Sequence, residues 1–129
     1  MSCNPENFLT LAKKLAPSDQ EVERRCAVSR AYYAALHWAR EHVEKCPPLE
    51  VGEERIGSHE RVLKRLRGYR ESKDARKAAY VLADLKTKRE GADYELIGDV
   101  TLEDASQALA IVERVRGFLE AIPKWNPAA

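Results

Sequence analysis

Apolar residues recur along most of this chain at the three- and four-residue spacings that place side chains on one face of a helix. The clearest case is the segment 102–122, in which they repeat with a period near 3.6 before Pro123 ends the pattern. No segment alternates apolar and polar residues over enough positions to indicate a strand, and no internal repeat is present. The pattern therefore predicts an all-α protein.

Capping residues, prolines and glycines divide the pattern into five helices. Asn4 followed by Pro5 is typical of a helix start, and Thr101 with Asp104 has the spacing of a capping box. Gly91 is expected to end the fourth helix, with a loop over 91–100 and another over 47–57. The predicted helices cover about 5–15, 19–45, 58–68, 74–90 and 102–122.

The second predicted helix carries apolar residues on more than one stripe, so we expect it at the centre of the fold. Cys26 lies among those residues and is interpreted as a small core residue. Helices that are joined by loops, with no strand among them, bury their apolar faces by packing against one another as a bundle. The sequence thus predicts one domain over 1–129, an antiparallel four- to five-helix bundle with its core at about 19–122.

Charge and cysteine content exclude several classes of function. With 22 basic and 21 acidic residues the net charge is +1, so nucleic-acid binding requires a local basic patch. The segment 61–77 is the one marked basic excess, and Tyr69 interrupts it. That segment fits either a phosphate-binding surface or a merely solvated helix face.

The cysteines Cys3, Cys26 and Cys46 form neither a disulfide framework nor a metal-binding motif. No metal site and no cofactor are expected, because the histidines are scattered and no Gly-rich phosphate loop is present. No signal peptide and no membrane-spanning run of about 18 apolar residues are recognised. We therefore expect a cytoplasmic protein without membrane partners.

One row of polar residues on the second helix suggests chemistry. Arg30, Tyr33, His37 and Glu41 follow one another at helical spacings and point in nearly the same direction. An arginine that binds phosphate beside a histidine that titrates near neutral pH suits a phosphodiester substrate. Arg30 and His37 lie roughly 10 Å apart along the helix axis, so two copies facing each other across a two-fold axis make a better site than one.

The same row has a structural interpretation. Arg30 would then pair with Glu41 or with an acid on another helix, and His37 would be a hydrogen-bonded core residue. The residues alone leave the two interpretations open.

Three segments, in order, resemble the signature of the HEPN domain family (higher eukaryotes and prokaryotes nucleotide-binding). They are Ser29–Ala39 (SRAYYAALHWA), Ser58–Val62 (SHERV) and Leu85–Tyr94 (LKTKREGADY), and the resemblance extends over about residues 19–120. It implies a short antiparallel bundle that often forms homodimers. Many members of the family are metal-independent ribonucleases of toxin–antitoxin, phage-defence or CRISPR-linked systems.

The resemblance also implies roles for individual residues. In the family's motif an arginine is followed after four to six residues by a histidine, and here six residues separate Arg30 from His37. Arg30 would hold the phosphate and His37 would act as general base or acid, with the RNA 2′-OH as nucleophile and a cyclic phosphate as product. Tyr33, His59 and Arg89 are the candidate substrate-binding residues.

Further residues and a second hypothesis complete the prediction. Asp93 is expected to hold Arg89 or a backbone amide, and Tyr94 to plug the end of the bundle. The first hypothesis is an RNA-directed protein, a metal-independent endoribonuclease of a toxin–antitoxin or defence system. The second is a non-catalytic module that binds a nucleotide or a partner such as a minimal nucleotidyltransferase acting as antitoxin. Buried and internally paired Arg30 and His37 would favour the second hypothesis.

Overall fold

The computed structural model describes residues 3–50 and 56–128, and every regular element in those ranges is helical. This confirms the all-α prediction, and the arrangement is compatible with a helical bundle. Within the same ranges no helix has the length and apolar character needed to cross a bilayer. The elements are α1 (Pro5–Leu15), α2 (Glu21–His42), a 3-10 turn (Val43–Lys45), α3 (Ser58–Gly68), α4 (Lys73–Tyr94) and α5 (Leu102–Ala121).

Reciprocal capping boxes fix the starts of α1 and α5. The Asn4 side chain accepts a hydrogen bond from the Asn7 amide at 3.2 Å, and the Asn7 side chain accepts one from the Asn4 amide at 2.9 Å. Thr101 and Asp104 make the same exchange at 3.0 and 2.9 Å. Such caps satisfy amides that have no partner inside the helix. Ser72 caps α4, which therefore begins one residue earlier than predicted.

Helix α2 occupies the centre, as its apolar pattern predicts, and packs against α1, α4 and α5. Five of its twelve buried residues are alanines, which let neighbouring helices approach closely: Ala27, Ala31, Ala34, Ala35 and Ala39. One side of the helix remains uncovered. The prediction that Cys26 belongs to the core is wrong, because Cys26 lies on this uncovered side together with Val22, which is 63% exposed.

The end of α4 differs from the prediction because a distant arginine binds it. Helix α4 continues past Gly91 to Tyr94, and the Arg25 guanidinium donates to the carbonyl oxygens of Gly91, Ala92 and Glu95 at 3.4, 3.0 and 2.6 Å. The Gly91 carbonyl also accepts the Glu95 amide at 3.0 Å, whereas the Ala92 and Glu95 carbonyls have no backbone donor among the described residues. Gly91 is therefore an internal helical residue and not the stop.

The connection between α4 and α5 is held on α2 by the same group of charged side chains. Arg25 also donates to the carbonyl of Gly98 at 3.2 Å, and Gly98 has a φ of 97°, a conformation that glycine adopts without strain. The Arg25 Nε donates to Glu21, whose carboxylate also accepts the Val100 amide at 2.8 Å. The neighbouring Arg24 donates to the Val100 carbonyl at 2.7 Å.

We predict that Arg25→Met lowers the free energy of unfolding by about 3 kcal/mol, because it leaves the Ala92 and Glu95 carbonyl groups without a donor and removes the ion-pair partner of Glu21. Urea denaturation with linear extrapolation measures the change. Arg70→Met is the matched control, because Arg70 is exposed and its replacement should change the value by less than about 0.5 kcal/mol. Equal midpoints for the two variants would show that the Arg25 contacts do not stabilise the fold.

Candidate functional site

The uncovered side of α2 carries the polar row predicted from the sequence. Arg30, Tyr33 and His37 are each partly buried and follow one another along this side, and Glu41 at its end is exposed. Helix α1 flanks the row and brings the ring of Phe8 against it. The row is therefore accessible to a ligand from solvent, and Phe8 extends it onto a second helix.

Arg30 lies on aromatic rings and not against an acid. Its guanidinium carbon is 5.0 Å from the centre of the Tyr33 ring and 5.7 Å from the centre of the Phe8 ring. It donates one hydrogen bond, at 3.3 Å, to the hydroxyl of the adjacent Ser29. Within the described residues no carboxylate pairs with it, so the expected alternative of a pair with Glu41 is not found. The charge of Arg30 is consequently available to an anion.

His37 stacks on the ring of Phe8, which Arg30 also contacts. Its ring centre is 5.4 Å from that of Phe8, and the two planes are inclined by 23°. In residues 3–50 and 56–128 neither ring nitrogen of His37 makes a hydrogen bond. His37 also lines a shallow groove of about 280 Å³ with Arg40 and the start of α1. The alternative of a hydrogen-bonded core histidine is thus not found either.

His59 reaches the row from the start of α3. Its Nδ1 is 2.8 Å from the Tyr32 hydroxyl, and its ring lies perpendicular to that of Tyr33 with the ring centres 6.2 Å apart. Tyr33 therefore has Arg30 on one side and His59 as a further neighbour. The structure thus places His59, one of the candidate substrate-binding residues, beside the row.

Arg89 approaches the same tyrosines from α4. Its guanidinium carbon is 5.2 Å from the Tyr32 ring centre and 5.8 Å from the Tyr33 ring centre. Its Nη1 donates to Asp93 at 3.4 Å, and Ser29 donates to the same carboxylate at 3.3 Å. Its Nε is buried without a partner among the described residues. Arg89 thus combines a structural ion pair with an unsatisfied donor beside the site.

The structure corrects one neighbouring expectation and adds one residue. Tyr94 is 74% exposed and does not plug the bundle, because α4 continues to this residue and directs it into solvent. Phe8 contacts both Arg30 and His37 and is not among the candidate residues predicted from the sequence. The apolar period of α1 shows that Phe8 faces a neighbour but does not identify the neighbour.

Burial and nearby charges determine the protonation states of His59 and Tyr32. Burial lowers the pKa of His59 from its ordinary 6.5, and the charges of Arg89, Lys86 and Arg40 lower it further, while Glu90 opposes them. His59 is therefore neutral at pH 7. Burial also raises the pKa of the Tyr32 phenol to about 12, so the phenol keeps its proton at neutral pH.

Taken together, the site offers cations and imidazoles on an aromatic surface. Arg30, Arg40 and Arg89 are suited to phosphate oxygens, and His37 and His59 are suited to proton transfer. In the part of the chain that the structure describes, no three His, Cys, Asp or Glu side chains are grouped so as to hold a metal ion. The described side chains therefore suit proton-transfer chemistry on an anionic ester.

Comparison with known proteins gives no further identification. No family model matches this chain, and neither a curated protein nor a solved structure matches it. The functional interpretation therefore depends on the geometry around α2. In that geometry the three segments that resemble the HEPN signature meet in space, through the contacts of Tyr32 with His59 and with Arg89.

We predict that His59 makes stability depend on pH. Because its pKa is lower in the folded protein than the ordinary 6.5, its neutral form is stabilising above that value, and this stabilisation is lost as the pH falls through the folded-state pKa. Chemical denaturation of wild type and His59→Gln between pH 8 and pH 5 should show a difference in unfolding free energy that moves in favour of the variant on acidification. Parallel pH profiles would contradict the assignment.

Proposed function

We propose that this chain is a HEPN-like protein that binds RNA on the uncovered side of α2 and cleaves it without a metal ion. One observation carries the proposal: Arg30 and His37 both contact the Phe8 ring of α1, yet within residues 3–50 and 56–128 neither pairs with an acid or hydrogen-bonds to another helix. Polar side chains that are fully buried are normally paired, whereas Arg30 and His37 are only partly buried and keep part of their surface open to a ligand. The resemblance of three segments to the HEPN signature supports the same conclusion.

The proposed reaction is transfer within the RNA strand. His37 accepts the proton of a 2′-OH, the 2′-oxygen attacks the adjacent phosphorus, and the bond from phosphorus to the 5′-oxygen breaks. The products are a 2′,3′-cyclic phosphate and a 5′-OH, which receives its proton from a second acid. Arg30 binds the non-bridging oxygens and stabilises the negative charge that develops on them.

In this proposal His37 of the second copy in a homodimer is the acid that protonates the 5′-oxygen. His37 lies seven positions after Arg30, roughly 10 Å along the helix axis, which is long for joint action on one phosphate within one chain. The uncovered side also carries the exposed Val22 and Cys26, whose burial against a second copy would be favourable. Two copies related by a two-fold axis would place His37 of each chain near the Arg30 of the other.

We predict that His37→Ala reduces the rate of RNA cleavage by about 10²- to 10⁴-fold, because it removes the general base. Labelled single-stranded RNA in the presence of EDTA is the substrate, and mass spectrometry identifies the cyclic phosphate. His42→Gln is the matched control: His42 is also on α2 but is placed next to the 3-10 turn, away from the row. The control should retain wild-type cleavage, and the melting temperature of His37→Ala should stay close to that of wild type.

Two outcomes would contradict the catalytic proposal. Equal cleavage by wild type and His37→Ala would show that another protein or another residue cuts the RNA. Binding of RNA or nucleotide that Arg30→Ala abolishes, with no cleavage by wild type alone or as a homodimer, would support the non-catalytic module. That module would use the same surface for a nucleotide or for a nucleotidyltransferase partner.

A further inference from the structure

A second cationic surface lies on the outer side of α4. Tyr80 is 79% exposed there, although it is a large aromatic residue in the middle of a long helix. Tyr80 and Arg89 are nine residues apart, which is two and a half turns, so they project from opposite sides of α4. Because Arg89 faces the tyrosines of α2, Tyr80 faces away from the candidate site described above.

Two grooves flank Tyr80, and basic residues line both. One, of about 380 Å³, lies between α4 and α5, and the other, of about 580 Å³, lies between α3 and α4. Tyr80 and Arg76 line both grooves and form the ridge between them. We call this region the α4 surface, and it comprises Arg67, Lys73, Arg76, Lys77, Tyr80 and Arg114.

The positive charge of the α4 surface is mostly not neutralised by the protein. Within the described residues four of its cations take part in no ion pair, namely Lys73, Arg76, Lys77 and Arg114. Arg67 is 3.8 Å from Glu60. Among the described residues that line the grooves Asp84 is the one acid, and Lys88 pairs with it at 3.5 Å. The surface is therefore complementary to a polyanion.

The grooves of the α4 surface also contain aromatic rings, which attraction between charges alone does not require. The ring of Phe118 lies in the groove between α4 and α5, with the Lys77 ammonium 5.7 Å from its centre. Tyr69, which interrupts the basic segment in the sequence, is only 5% exposed and cannot receive a base. The aromatic residue that the basic side chains surround is instead Tyr80, eleven positions later.

We propose that the α4 surface binds single-stranded RNA, with a base stacked on Tyr80 and phosphates bound by the surrounding cations. An exposed aromatic ring between positively charged grooves is the arrangement by which proteins hold unpaired strands, because bases already stacked in a duplex cannot cover the ring. An acidic protein partner would use the cations but would not need the ring to stand free between two grooves. The choice of RNA rests on the proposed function, whereas the location of the surface does not.

The first test measures binding without cleavage. In full-length protein carrying His37→Ala, fluorescence anisotropy with a labelled single-stranded oligonucleotide should show that Tyr80→Ala weakens binding about tenfold or more. Tyr80→Trp should restore the affinity, because it restores a stacking surface. Tyr94→Ala in the same background is the matched control, because Tyr94 is an equally exposed tyrosine at the end of α4, and its affinity should stay unchanged.

The second test measures the phosphate contacts. For single strands each neutralised phosphate contributes about 0.7 to the slope of log affinity against log salt concentration. The double variant Arg76→Gln with Lys77→Gln should therefore lower the slope by about 1.4. Lys13→Gln with Lys14→Gln removes two exposed lysines from the last turn of α1 and should leave the slope unchanged.

Several results would overturn the inference. Unchanged affinity in Tyr80→Ala, equal loss in Tyr80→Trp, or absence of RNA binding by the His37→Ala parent would each show that the α4 surface does not hold RNA by stacking. An equal effect of Tyr80→Ala on duplex RNA would overturn it as well. If RNA binding depends on Tyr80 but the wild-type protein does not cleave RNA, the inference that the α4 surface binds RNA is supported and the proposed cleavage is refuted.

Discussion

Helix α2 packs against α1, α4 and α5 and leaves one side uncovered. This packing determines where the polar residues of α2 can lie. Its alanines admit the neighbouring helices but leave no room for an unsatisfied charge between them. Polar residues of α2 therefore fall into two groups. Arg24 and Arg25 are buried and bonded to backbone carbonyls, whereas Arg30 and His37 lie on the uncovered side, where solvent or a ligand is their partner.

The buried arginines connect the fold to the candidate site. Removing a guanidinium from water is costly unless its donors are satisfied, and the last carbonyls of α4 supply acceptors that the helix itself leaves free. Arg25 consequently fixes where α4 ends against α2. One turn earlier on α4, Arg89 lies over Tyr33 and pairs with Asp93. A contact that stabilises the bundle thus also orients a cation beside the site.

The helices, the caps Asn4 and Thr101 and the row of Arg30 and His37 follow from local spacing, so the sequence predicts them well. The predictions that are wrong depend on contacts between helices, which local spacing does not reveal. Gly91 has the features of a helix stop, but the contact that extends the helix comes from Arg25, sixty-six positions earlier. Cys26 belongs to an apolar stripe, yet periodicity does not show which stripe stays uncovered. The contact of Phe8 with the row likewise depends on how two helices pack.

A net charge of +1 is compatible with the two RNA-binding surfaces proposed above because the charges are segregated. Among residues 3–50 and 56–128 four cations of the α4 surface take part in no ion pair, while acids elsewhere pair with other basic residues, as Glu6 and Glu120 do with Arg116. A homodimer formed through the uncovered side of α2 would leave the opposite side of α4 open. Each chain would then hold a strand on its outer side while the shared site acts on the RNA. If the local cations and not the net charge attract the strand, as proposed, the affinity will depend on salt although the whole protein is nearly neutral.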